Sequence, residues 1–77
     1  MDVRIGIADS PQIIEVEMDD GTDRDALRSE IEAVLAGKNK ILWVTDRKGK
    51  ELAVPSEQIA FVELGTSDAE RKIGFGA

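Results

Sequence analysis

"VPSEQIAFVELG", residues 54–65, decides how the chain is read. A small polar segment, Pro55 to Gln58, leads into a dense run of large side chains. The run carries one acid, Glu63, and stops at Gly65. Three readings compete: a catalytic element, a binding edge, or a strand with a turn before it. Alternation with period two is the mark of a strand, because successive side chains point to opposite faces. Pro55 closes whatever strand precedes it, since it donates no ladder hydrogen bond.

The same periodicity extends outward on both sides. In "DVRIGI", residues 2–7, Val3, Ile5 and Ile7 point one way and Asp2, Arg4 and Gly6 the other. "ADSP" is turn chemistry: Asp9 and Ser10 can bond back to the backbone and Pro11 fixes φ. "QIIEVEM" alternates again, with Ile14, Val16 and Met18 opposite Ile13, Glu15 and Glu17, which predicts an antiparallel hairpin.

The period changes in "DDGTDRDALRSEIEAVLAGKNK". Leu27, Ile31, Val34 and Leu35 form one helical stripe. Thr22 is the expected N-cap, with Asp25 three residues on, and Gly37 the expected C′ residue. The spacing predicts a helix over about 23–36. "KILWVTD" is a strand apolar on both faces, "DRKG" a hairpin turn and "KELAV" the return strand. Residues 65–70 read as a loop or a short helical turn. "RKIGFGA" reads as a last short strand or a frayed end. The expected fold class is therefore α+β: a mainly antiparallel sheet of five or six strands, β-β-α-β-β-β, with one helix packed on one face.

Composition narrows the function. Seventy-seven residues make a single domain, taken here as 1–77. A chain this short buries only about 60% of its unfolded surface, so its core is marginal without help. Cysteine and histidine are both absent. That removes disulfides, thiolate metal sites, the commonest zinc ligand and the commonest general base. Oligomerisation is the aid left open. The net charge of −6 disfavours nucleic acid and anionic membrane surfaces as partners. The N-terminus has neither a basic segment nor a long apolar one, so a cytoplasmic location is expected.

Several candidate sites are weaker than their bland alternatives. The acids of "EVEMDD", residues 15–20, lie along a strand and do not converge as calcium ligands must. Glu15, Glu17 and Glu63 could in principle serve acid–base chemistry, but nothing suggests a pocket around them. "IGFGA" has no helix after it, as a nucleotide fingerprint requires. No serine has a histidine to activate it. The expectation is thus no catalytic, metal-ligating or cofactor-binding residue and no cofactor. Arg47, Lys48 and Lys50 gather at a hairpin tip near Trp43. This gives an alternative reading as a nucleic-acid-binding or regulatory adaptor, with a nucleotide or small-molecule binder behind it.

The exception is an apolar surplus. One helix covers one face of a sheet, and Ile5, Ile14, Val16, Leu42, Val44 and Val54 are among those that supply that face. Ile41 and Trp43 lie on the opposite parity, joined by Ala60 and, depending on register, Ile59 or Phe61. Ile13 and Phe75 are candidates to extend the set. Either the sheet curls to enclose both sets, or the second face docks on something, or it holds a ligand. The expected interface residues are Ile41, Trp43, Phe61 and Phe75, with Trp43 and Phe61 as anchors. The expected partner is a second copy of the chain or another protein.

Three stretches carry a resemblance that spans nearly the whole chain: "VRIGIADSP", "LWVTDRKGKELAVPSEQIAFVELG" and "DAERKIGFG". Together they resemble the small actinobacterial domain-of-unknown-function family 3107. The resemblance implies a short cytosolic α+β domain with no assigned activity, and a tail of small or polar residues beyond "GFG". It brings no catalytic residues with it. ATP binding is ascribed to some similar proteins, and no phosphate-cradling motif in this sequence supports it.

Overall fold

The computed structural model describes residues 1–65 of the 77-residue chain. The elements run β1 Asp2–Ile7, β2 Ile13–Glu17, α1 Arg24–Leu35, β3 Ile41–Thr45, β4 Glu51–Pro55, a single 3-10 turn Ser56–Gln58, and β5 Ile59–Leu64. The class is α+β, with five strands paired antiparallel and one helix. The strands divide between two ladders: a three-stranded sheet in the order β2-β1-β5 and a two-stranded sheet β3-β4. The sixth strand proposed for "RKIGFGA" lies outside the described residues.

Each ladder follows from alternation. β1 sits between its neighbours with Val3 and Ile5 fully buried, and Ile5 faces Ile14 on one side and Val62 on the other. A bulge lies opposite Gly6 and Ile7, which pair with Phe61 and Ile59 and leave Ala60 as the extra residue. The hairpin β3-β4 places Leu42 beside Val54 and Val44 beside Leu52 on its inner face. Gly49, at φ +90°, lies in the connection between them, a conformation that glycine adopts at no steric cost. The Asp46 carboxylate braces the turn by accepting from the backbone N–H of Lys48 and of Lys50, at 2.9 and 2.8 Å.

The helix begins one residue later than expected. Asp23, not Thr22, is the N-cap: its Oδ1 accepts from Ala26 N–H at 3.1 Å. Thr22 is instead committed to the preceding turn, where its N–H donates to the Asp19 carbonyl. The other end closes as expected on Gly37, at φ +82°. Gly37 N–H donates to the Val34 carbonyl and Lys38 N–H to that of Ala33, the paired bonds of a Schellman end. Leu27, Ile31 and Val34 are buried, but Leu35, expected in the same stripe, is 53% exposed. At 100° per residue it lies about 80° round from Leu27, on the rim of the buried stripe, and it is the last helical residue.

The helix packs against one side of both ladders, and among the described residues ten buried apolar side chains form one cluster. Met18, just past β2, belongs to it, held by its N–H donating to the Met1 carbonyl. The ladders meet where Arg47 N–H donates to the Glu17 carbonyl at 2.9 Å, which ties the hairpin tip to the end of β2.

Candidate interaction surface

The outer face of the hairpin is apolar where a two-layer fold ordinarily shows polar groups. Ile41, Trp43 and Thr45 of β3 and Glu51, Ala53 and Pro55 of β4 point away from the core. The register sets Ile41 beside Pro55 and Trp43 beside Ala53. A small partner leaves the indole uncovered, and Trp43 is 57% exposed, Ile41 46%. These two expected interface residues therefore lie together on one strand face.

Phe61 lies on the other ladder. Its ring covers Gly6, so closely that a Cβ built at Gly6 would stand 2.2 Å from the Phe61 Cε2. On the far side of Gly6 stands Ile13 of β2, exposed like Phe61. The outer face of the three-stranded sheet thus has an apolar end, Ile13–Gly6–Phe61. Two residues along, Arg4 stands between Glu15 of β2 and Glu63 of β5, at 3.5 and 3.3 Å. The fourth expected residue, Phe75, lies outside the described residues.

The charges sort unevenly. Residues 38–55 hold five cations (Lys38, Lys40, Arg47, Lys48, Lys50) against two acids (Asp46, Glu51), a net +3 within a chain of −6. Among the described residues Arg4, Arg28 and Arg47 make ion pairs, whereas the four lysines make none. Arg47 bonds Glu17 Oε2 at 2.9 Å. That hydrogen bond, with the charges of Glu17 and Asp20, raises the guanidinium pKa above its ordinary value. One of the three cations expected at the tip is therefore occupied within the protein. Lys38 and Lys40 precede β3 and Lys48 and Lys50 follow it, while the charged residue on the Trp43 face itself is Glu51.

Sequence reasoning set Ile41 and Trp43 on one strand face and did not foresee that Phe61 lies on the other ladder. The signal was Gly6 in a strand interior, which marks a close approach by another group. Among the described residues no group of three or more Asp and Glu side chains could hold a metal ion. No described helix is long and apolar enough to cross a membrane. A groove between β2 and β4, lined by Ile14, Val16, Lys50 and Leu52 among others, measures about 130 Å³. Grooves along the two flanks of α1 measure about 280 Å³ each. All three fall below the roughly 300 Å³ at which small-molecule sites begin.

No curated protein matches the chain. The family model described as "Protein of unknown function (DUF3107)" matches residues 1–76. That near-complete match shows that the chain belongs to the DUF3107 family.

Proposed function

We propose that this protein is a non-catalytic interaction module that self-associates through the outer face of the β3-β4 hairpin. The observation that carries the reading is the exposure of Trp43 and Ile41 side by side on a strand face. Aromatic side chains dominate interface energies when they are desolvated, and an exposed apolar patch marks an interaction site. Association also supplies the burial that a chain of this length lacks by itself.

The test is sedimentation of the intact chain over a range of concentrations, beside Trp43→Ala. The unaltered chain is expected to gain mass with concentration, and the variant to associate more weakly by about 2 kcal/mol. A chain that stays monomeric at every concentration up to millimolar sinks the reading.

A nucleic-acid role for the hairpin stands second, favoured by the lysines before and after β3, which make no ion pair among the described residues. Against it stand the net charge of −6 and the engagement of Arg47 by Glu17. A gel shift at two salt concentrations separates the two readings, because phosphate contacts impose a steep salt dependence.

A further inference from the structure

Backbone accounting singles out one side of β3. The Lys40 carbonyl accepts from Ser56 N–H, and Asp46 N–H donates to the Lys50 carbonyl. In the β3-β4 register these are hydrogen-bonded pairs, and such pairs alternate, so Leu42–Val54 and Val44–Leu52 are the bonded ones between them. Ile41, Trp43 and Thr45 therefore aim their N–H and C=O groups away from β4. Pro55 agrees: it stands opposite Ile41, in a non-bonded pair that asks no N–H of it. Among the described residues no backbone group pairs with that side of β3. An unpaired edge is a template for one more strand. This edge opens into a groove of about 280 Å³ against α1, walled by Asp23 and Glu30 and floored by Leu27 and Val44. No cation stands among the described residues that line it. The groove thus fits an extended segment that carries positive charge.

We propose that the occupant is this chain's own segment 71–76, "RKIGFG", docked antiparallel on the free edge of β3 with Ile73 opposite Trp43. The segment holds two cations and no acid. In this register Arg71, Ile73 and Phe75 fall beside Thr45, Trp43 and Ile41 on the outer face, and Lys72 and Gly74 beside Val44 and Leu42 on the inner one. Lys72 then meets Asp23 and Glu30 across the groove. Arg71 lies one strand further from Glu51, which pairs with Thr45 from the other side. Gly74 passes beside Leu42, 1% exposed beneath the helix, where a larger side chain would meet α1. The reach is sufficient. The chain leaves the described part at Gly65, whose carbonyl accepts from Arg24 Nη1. Arg24 follows Asp23, at the end of the groove where Thr45 lies. Residues 66–70 and the links on either side of them extend to about 20 Å. The groove on the other flank of α1, against β5, offers no such match, because Arg24 and Arg28 there balance Asp25 and Glu32. The docking needs no second copy and stands apart from the self-association reading, whose apolar face it would enlarge by Ile73 and Phe75.

Amide hydrogen exchange and nuclear Overhauser contacts in the full chain test this. Ile73→Pro removes the N–H that faces Trp43 and cannot sit in a ladder. It is expected to speed exchange at the Ile41, Trp43 and Thr45 amides about tenfold or more, and to leave Leu42 and Val44, bonded to β4, unchanged. Equal exchange at Ile41, Trp43 and Thr45 in the two proteins overturns the proposal. In the unaltered chain, Hα–Hα contacts are expected between Val44 and Lys72 and between Leu42 and Gly74, the closely spaced non-bonded pairs of the new ladder. Their absence, or contacts from residues 71–76 to Val62 or Leu64 of β5 instead, overturns it. A sample that mixes isotope-labelled and unlabelled copies shows whether the contacts lie within one chain. Contacts found only between copies overturn the docking within one chain. Self-association is read separately by sedimentation, so either reading can fail while the other stands.

Discussion

The ring of Phe61 occupies the space that a side chain at Gly6 would fill, across the β1-β5 ladder. A glycine in the central strand of a sheet forgoes packing and raises the entropy cost of folding. Here the aromatic ring of the neighbouring strand covers the bare backbone and offsets part of that loss. Gly6→Ala must push the ring off its seat. It is expected to destabilise the fold by about 1–2 kcal/mol, because the strain and lost contact outweigh the entropy gained from removing a glycine. The check is urea denaturation, with a lower midpoint and an unchanged slope. A variant as stable as the parent shows that the ring relaxes without cost.

The helix start offers a sharper comparison between two adjacent residues. Asp23 Oδ1 holds the Ala26 N–H, while no side-chain cap bond comes from Thr22. Asp23→Ala is expected to cost about 1 kcal/mol and Thr22→Ala distinctly less. Thermal unfolding of the two variants side by side decides, and equal losses would contradict the observed cap.

The sequence revealed the elements better than their ends. Strands β1, β2 and β5 and the stripe Leu27–Ile31–Val34 follow from periods of two and 3.6, which burial enforces along a whole element. Thr22 and Asp23 are both good caps, and the choice between them depends on the turn at Asp19, which periodicity does not report. Leu35 matches the helical spacing but falls on the rim, where the stripe meets solvent. The outward parity of Trp43 was legible because Leu42 and Val44 had to face the helix. That Phe61 belongs to a different ladder was not legible, since pairing between β1 and β5 joins residues more than fifty positions apart. The setting of Glu63 beside Arg4 also depends on that pairing.

The hairpin turn depends on one carboxylate. Asp46 accepts from two backbone N–H groups, and Gly49 holds a positive φ. Asp46→Ala is expected to cost about 1–2 kcal/mol, and Asp46→Asn much less, because the amide keeps an acceptor oxygen. Gly49→Ala is expected to cost about 1 kcal/mol from the left-handed backbone. Hydrogen exchange at the Lys48 and Lys50 amides reads this locally: both exchange faster in Asp46→Ala and stay protected in Asp46→Asn. Equal protection in all three proteins would show that the side chain does not brace the turn.

Trp43 is the sole tryptophan of the chain, so its fluorescence reports the hairpin face alone. In a dilute monomer an indole that is 57% exposed emits at the long wavelengths of a hydrated ring. Docking of a second copy on the hairpin face removes water from it, and the emission is expected to move to shorter wavelength as concentration rises. The midpoint should match the one found by sedimentation. Trp43→Ala should leave monomer stability within about 0.5 kcal/mol, as expected of a side chain that contributes little to its own core. A wavelength that is independent of concentration while mass increases would place the interface away from the hairpin face.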